Sequence, residues 1–174
     1  MLAHPFDSVN LFNQFRTARR NYLEFVRTLT GANLEECKST KPNGFTLKQL
    51  DSTFRNSLFP QNKQTPVDLW EAWSLYTICR LQSPLFVVET GVSAGRSTAF
   101  ILAAMHDSNK GQLFSFDPDS NSGYAVPDKL KDRWCLIAEK SHTGLRTILS
   151  RLGTIDLFLH DSPHTYENMM FEFH

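Results

Sequence analysis

The stretch Leu85-Phe-Val-Val-Glu-Thr-Gly-Val-Ser-Ala-Gly-Arg-Ser-Thr98 decides the fold of this chain. Its four leading apolar residues end at the acidic Glu89, a turn of small residues follows, and a helical pattern opens at Ser97. A buried strand that turns at once into a helix brings backbone N–H groups and a helix N-terminus to one point above a sheet edge. Ligands of α/β proteins bind at such points. The stretch therefore predicts an α/β fold with a ligand site at residues 89–98.

Strand-like and helical segments alternate after Pro84. Strands are predicted at Leu85–Glu89, Gln112–Asp117, Trp134–Glu139 and Ile155–His160, and helices at Ser97–Met105, Gly144–Leu152 and from about Thr165. This alternation predicts a Rossmann-like, doubly wound parallel sheet with right-handed crossovers. Because four strands are present and the sequence stops inside a helical pattern, we expect the first part of such a sheet, truncated at its C-terminal side.

The part before this sheet is predicted to be helical. We divide the chain into a helical extension or cap, residues 1–65, and a Rossmann-like domain, residues 66–174. Apolar residues recur at helical spacing up to Leu29, and Gly31 is expected to stop that helix. Residues 37–46 carry turn chemistry and are predicted to be a loop. The predicted helices are Val9–Leu29, Leu47–Leu58 and Pro66–Leu81.

The composition limits the class of protein. Among 174 residues, 18 basic residues balance 18 acidic ones, which favours neither nucleic acid nor an anionic membrane as a partner. No apolar run approaches the roughly 20 residues that span a bilayer, and the N-terminus lacks the features of a secretory signal. Cys37, Cys79 and Cys135 form no Cys-x-x-Cys pair, which indicates reduced thiols. We therefore expect a cytoplasmic protein and leave a homo-oligomer open.

A strand–turn–helix often serves dinucleotide binding or ester hydrolysis. The first function fits this turn poorly, and the second fits it in part. Dinucleotide binding needs Gly-x-Gly-x-x-Gly, but the three positions hold Gly91, Ser93 and the bulky Arg96. A serine esterase of the α/β-hydrolase kind needs Gly-x-Ser-x-Gly, which Gly91-Val-Ser-Ala-Gly95 matches. However, the acid and base candidates after Ser93 are Asp161 and His164, which lie too close in sequence for separate loops. The esterase remains an alternative.

The turn also resembles the first motif of class I S-adenosylmethionine-dependent methyltransferases. That motif is an acidic residue, any residue, and Gly-x-Gly-x-Gly, and here it reads Glu89-Thr-Gly91-Val-Ser93-Ala-Gly95 with serine in place of the middle glycine. The resemblance implies that the backbone at Gly91, Ser93 and Gly95 touches the methionine portion of the cofactor. It also implies that Glu89 engages the amino group of that portion.

Two further positions extend the resemblance. Asp117 ends the second strand, one strand over from the turn, where a carboxylate can accept both ribose hydroxyls. Family members place a small polar or acidic residue after the third strand, against the adenine. We prefer Ser141 to Glu139 as the residue that contacts the adenine. The alternative role of Ser141 is that of the N-cap of the following helix.

A polar cluster follows the fourth strand, in the string His160-Asp-Ser-Pro-His-Thr-Tyr-Glu167. It resembles a subgroup of class I methyltransferases that act on small molecules. The spacing of Asp156 and Asp161 also resembles catechol-type O-methyltransferases, in which the second Asp binds a divalent cation. The resemblance implies that Asp161 is a metal ligand, with Mg²⁺ as the candidate ion, or a catalytic acid, and that His164 is a catalytic base. A metal site of His160, Asp161 and His164 is an alternative.

These residues together predict a methyltransferase that acts on a hydroxyl of a small-molecule acceptor, with S-adenosylmethionine as cofactor. The rival expectation is a truncated module that binds cofactor or a partner without catalysis.

Overall fold

The structure is a computed structural model that describes residues 22–40, 49–50, 53–54 and 69–174. Within these residues, parallel strands form one sheet in the order β3-β2-β1-β4. The strands are β1 (Phe86–Thr90), β2 (Gln112–Phe116), β3 (Trp134–Ile137) and β4 (Leu157–His160). The helices are α1 (Tyr22–Thr30), α2 (Leu34–Ser39), α3 (Leu69–Gln82), α4 (Arg96–Ser108), α5 (Ser141–Leu152) and α6 (Tyr166–Phe173), with a 3-10 helix at Asp128–Arg133.

The register of the sheet places the carboxyl ends of the strands level with one another. Thr90 of β1 pairs with Phe116 of β2 on one side and with His160 of β4 on the other. Phe116 pairs in turn with Ile137 of β3. Helices connect the parallel strands, so the predicted Rossmann-like sheet is confirmed. The segments after all the strands therefore meet at one edge.

Helix α4 lies between the sheet and α3, and this position explains its composition. Every residue from Ser97 to Met105 is buried, and α4 packs on both α3 and β2. The main core contains Tyr76 of α3 and Val87 of β1, and Leu50 and Phe54 belong to the same cluster. None of the described helices is long and apolar enough to cross a membrane.

Helix α5 begins at Ser141, so the predicted start at Gly144 was wrong. Lys140 is the N-cap residue, and Gly144 lies one turn inside the helix. A Cβ atom on Gly144 would be 2.8 Å from the Cε1 atom of Phe116. The glycine is therefore required by the close packing of α5 on the end of β2. In the sequence, such a glycine cannot be distinguished from one that marks a helix boundary.

The helical N-terminal region agrees with the prediction in part. Gly31 ends α1 with a φ of +70°, as expected of a helix stop. Helix α2 was not predicted, since residues 37–39 were assigned to a loop. It is stabilised by a capping box in which Asn33 and Glu36 bond each other's backbone N–H groups. The start of the first predicted helix, most of the second, the beginning of the third and the domain boundary at residue 65 lie outside the described residues.

Candidate functional site

A cavity of about 680 Å³ opens at the carboxyl edge of the sheet. One side is the β1–α4 turn, a second is formed by the end of β2 and the start of α5, and a third by the segment between β4 and α6 together with the first turn of α6. The lining residues of these three sides are Gly91–Ala94, Arg96 and Ser97; Phe116–Pro118 and Lys140–His142; and Asp161–Pro163, Thr165, Glu167 and Asn168, with Thr90 beside the turn. Its size is within the range of about 300–1,000 Å³ that is usual for small-molecule sites.

Close packing holds the β1–α4 turn in place on two sides. Gly91 has a φ of +84°, and a Cβ atom there would lie 2.3 Å from the carbonyl oxygen of Asp161. Gly95 has a φ of +89°, and its Cβ would lie 2.4 Å from Val126. Ser93 between them also has a positive φ, +51°. The glycines are therefore needed because neighbouring backbone and side chains press against the turn, in addition to any approach of a ligand.

Asp117 ties the end of β2 to this turn. Its Oδ2 atom accepts the backbone N–H groups of Val92, at 2.9 Å, and Ser93, at 3.1 Å. Burial alone would raise the pKa of Asp117, but these bonds, together with those from Asp119 and Ser122, lower the pKa below its usual range. An ionised carboxylate thus lies on the cavity wall where the sequence placed it, and in this structure it orients the turn itself.

Glu89 lies behind the turn and does not line the cavity. Its fully buried carboxylate accepts hydrogen bonds from the hydroxyls of Ser97, Thr98 and Ser115. Burial raises the pKa of Glu89, while the three hydroxyls oppose that rise. The carboxylate therefore fastens the start of α4 to β1 and β2. Its predicted contact with an amino group of a cofactor stays a prediction.

Asp161 faces the turn from the opposite side of the cavity. Its backbone N–H bonds the carbonyl of Thr90 at 2.8 Å, which extends the β1–β4 pairing by one residue. Although much of its side chain is open to the cavity, desolvation raises the pKa of Asp161 to about 7, and the charges of Glu89 and Glu71 add to the rise. A carboxyl with such a pKa can exchange a proton near neutral pH.

The histidines of the β4–α6 segment are held outside the cavity. The ring of His164 stacks on that of His160, with centroids 5.1 Å apart, and neither lines the cavity. The Nδ1 atom of His160 lies 2.5 Å from Glu172. Among the described residues, no group of three His, Cys, Asp or Glu side chains could hold a metal ion. The alternative site of His160, Asp161 and His164 is therefore wrong, whereas the catalytic role of His164 stays a prediction.

Asp156 and Asp161 act at opposite ends of β4. The Oδ2 atom of Asp156 accepts the N–H groups of Leu85, at 2.8 Å, and Phe86, at 3.0 Å. Asp156 thus secures the beginning of β1, at the sheet edge away from the cavity. Only the second carboxylate of the predicted pair, Asp161, belongs to the site.

Ser93 and Ser141 both line the cavity. The Ser93 carbonyl accepts the N–H of Gly123 at 2.7 Å, which fixes the turn from behind. Of the described histidines, only His142 lines the cavity, and its ring stacks on Phe171. His164, the base candidate of the esterase alternative, does not line the cavity with Ser93. The Ser141 hydroxyl donates to Glu172, so its polar group faces the protein, and its predicted place against the adenine stays a prediction.

Sequence reasoning missed Glu172 altogether. It lies in the last turn of α6, and its buried carboxylate accepts hydrogen bonds from Thr90, Ser162 and Asn168 as well as those from His160 and Ser141. The only local signal was an acidic residue in an otherwise apolar stretch, Met169–Phe173.

Solved structures of other proteins are similar to this chain. One solved structure that is similar to this chain is the crystal structure of SAH-bound Podospora anserina methyltransferase PaMTH1, with a TM-score of 0.56, 18% identity, and coverage of 78% of this chain and 58% of that one. A second, described as cmcI-N160 SAH, has a TM-score of 0.44, 15% identity, and coverage of 77% and 71%.

The chain thus spans less than two thirds of the PaMTH1 chain. No curated protein matches it. Residues 88–174, half of the chain, match the family described as a methyltransferase domain. This match begins inside β1 and includes the whole lining of the cavity. The chain therefore belongs to the methyltransferase domain family.

Proposed function

We propose that this domain binds S-adenosylmethionine in the cavity and transfers its methyl group to a hydroxyl of a small molecule. The observation that carries the proposal is the cavity itself, in which the β1–α4 turn, oriented by Asp117, faces the carboxyl of Asp161. The family match and the SAH reported with the similar PaMTH1 structure support the same ligand.

The cofactor side of the cavity has the chemistry that this ligand needs. Asp117 is kept ionised by its depressed pKa, and a carboxylate on the cavity wall can accept ribose hydroxyls. Four of the five residues at positions 91–95 are glycine, serine or alanine, so that ligand atoms can approach the backbone there. When bound, the cofactor supplies an electrophilic methyl group on a sulfonium.

The acceptor side is the segment that follows β4. Asp161 is the residue placed to take the proton of an acceptor hydroxyl, because it lines the cavity and its pKa lies near 7. Asp161 also remains our candidate ligand for Mg²⁺, which proteins bind through one or two carboxylates and several waters. We keep His164 as a second base candidate.

Substitutions on this side should separate turnover from cofactor binding. In a protein that methylates an identified acceptor, Asp161→Asn should lose turnover while its affinity for S-adenosylhomocysteine stays near that of the wild type. His164→Ala should behave in the same way only if His164 moves to the cavity during the reaction. A collapse of cofactor affinity in Asp161→Asn would place Asp161 on the cofactor side.

Calorimetric titration tests the cofactor directly. Folded protein should give heat with S-adenosylmethionine and S-adenosylhomocysteine and none with NAD. Asp117→Ala should weaken S-adenosylhomocysteine binding by about 1.5–3 kcal/mol, because a charge-assisted hydrogen bond to the ligand and the restraint on the turn are both lost. Asp132→Ala is the control, since Asp132 is an exposed acid that does not line the cavity. Tight NAD binding would contradict the proposal.

A further inference from the structure

Glu172 is a buried charged residue that has no role in the methyl transfer proposed above. Its side chain has 0% exposure to solvent. Its two carboxylate oxygens accept hydrogen bonds from Thr90 Oγ1 at 2.8 Å, His160 Nδ1 at 2.5 Å, Ser162 Oγ at 2.9 Å, Asn168 Nδ2 at 3.2 Å and the Ser141 hydroxyl. Five donors from different elements thus satisfy one carboxylate near the end of α6.

The donors come from separate sides of the cavity. Thr90 ends β1 and directly precedes the β1–α4 turn, and Ser141 begins α5 just after β3. Ser162 belongs to the segment between β4 and α6, and Asn168 lies in the first turn of α6. All four line the cavity, whereas Glu172 itself lies behind the wall. One carboxylate is thus joined to the end of β1, to the residue that begins α5 after β3, and to the residues that follow β4.

The charge state of Glu172 makes these bonds mutually dependent. Burial alone would raise the pKa of Glu172, but the hydrogen bonds from His160, Ser141, Thr90 and Ser162 outweigh it and lower the pKa to about 2. A buried carboxylate is tolerated only while such donors satisfy it. The bonds to Glu172 therefore restrain each donor side chain. They also restrain the part of the cavity wall to which that donor belongs.

Glu89 provides the contrast within the same fold. It is also a fully buried carboxylate with three hydroxyl donors, but Ser97, Thr98 and Ser115 belong to α4 and β2 and lie on the turn side. Its hydrogen bonds fasten one element to its neighbours. Those of Glu172 instead join residues on both sides of the opening.

We propose that Glu172 is a positioning residue, a brace that holds the β1, β3 and β4 sides of the cavity at the separation the cofactor requires. The inference rests on the proposed function, because it assigns the braced cavity to S-adenosylmethionine. A cavity whose walls are already in place loses less conformational entropy on binding its ligand than a cavity that must form around the ligand.

Binding of S-adenosylhomocysteine to the whole chain tests the brace without an acceptor. Glu172→Gln removes the charge and one acceptor atom, and the affinity should fall about tenfold, the scale of one charge-assisted hydrogen bond. Ile101→Ala is the control for a general loss of stability, since Ile101 is fully buried in α4 away from the cavity. It should lower the melting temperature and leave the affinity unchanged.

A double-mutant cycle with Ser141→Ala separates positioning from general loosening. If Glu172 acts by holding Ser141, the second substitution should cost little once the first is present, so the two effects should not add. Additive effects would overturn the brace. If Glu172→Gln does not fold, Thr90→Val removes one donor while keeping the shape of the side chain, and it should also weaken binding.

The outcomes distinguish the inference from the function on which it rests. A wild-type chain that does not bind S-adenosylhomocysteine would refute the proposed function itself. A wild type that binds it, with Glu172→Gln and Thr90→Val both within about twofold of that affinity, would refute the brace and leave the proposed function standing.

Discussion

At the scale of single residues, Gly91 is placed under two separate constraints. Its φ of +84° favours glycine, and a Cβ atom would lie 2.3 Å from the backbone oxygen of Asp161. Gly91→Ala should therefore destabilise the fold by about 2–5 kcal/mol, the sum of a left-handed conformation of about 1–2 kcal/mol and overpacking of about 1–3 kcal/mol. Chemical denaturation of both proteins measures this difference.

Gly31 provides the matched control for that substitution. Its φ is +70°, but nothing lies within 4 Å of the Cβ position. Gly31→Ala should cost only the conformational part, about 1–2 kcal/mol. Equal losses in Gly91→Ala and Gly31→Ala would show that contact between the turn and the β4–α6 segment is unimportant.

Asp161 should make the stability of the folded chain depend on pH. Its pKa is about 7 in the fold and about 3.9 in an unfolded chain. The raised pKa means that the stabilising contribution of the protonated form is complete below pH about 3.9 and is lost as the pH rises through about 7. The stability of Asp161→Asn relative to the wild type should therefore increase between pH 4 and 8.

Denaturation of both proteins across this pH range measures the effect, since other titrating groups cancel in the difference. Mg²⁺ should reduce the difference if Asp161 binds it, because a cation favours the ionised carboxylate. A difference that does not change with pH would contradict the raised pKa. A pH-dependent difference that Mg²⁺ leaves unchanged would remove the metal.

Among the site residues, position was more predictable than hydrogen bonding. Asp117 and Asp161 follow strands at the sheet edge, and the order of the segments was sufficient to place them on one cavity. The partners of Glu89 and Ser141 were not predictable, because hydroxyl donors from other elements engage them. Glu172 gave no usable signal, since its bond to Thr90 joins residues 82 positions apart in sequence.

At the scale of elements, helix α6 carries Glu172 and begins at the cavity. Thr165 caps it, and its Oγ1 atom accepts the N–H of Asn168 at 3.3 Å. Thr165→Ala should lower the free energy of unfolding by about 1 kcal/mol. Thr147→Ala, an exposed change inside α5, should be neutral or slightly stabilising, since alanine has the higher helix propensity. An unchanged stability in Thr165→Ala would mean that the cap contributes nothing.

The elements also differ in how well a sequence pattern predicts them. The strands were predicted to within about two residues because short apolar runs end at polar turns. Helix α2 was missed although Asn33 and Glu36 form a capping box, because turn-forming residues follow it closely. The start of α5 was misplaced because Gly144 serves packing against Phe116, a contact between distant segments.

At the scale of the whole molecule, the strand order explains the site. The order β3-β2-β1-β4 puts the segment after β4 beside the β1–α4 turn, although about 70 residues separate them in sequence. The end of β2 lies on the other side of that turn. One cavity lined from both sides of the turn therefore follows from the topology, and the buried carboxylates of Glu89 and Glu172 join the elements that form its walls.

A crystal structure of the chain with S-adenosylhomocysteine would locate the bound cofactor product. We expect the ligand to occupy the cavity between Asp117 and Asp161, with its ribose hydroxyls at the Asp117 carboxylate and its sulfur on the side of Asp161. A ligand bound elsewhere at saturating concentration, or one in the cavity with its ribose away from Asp117, would contradict the proposed cofactor site.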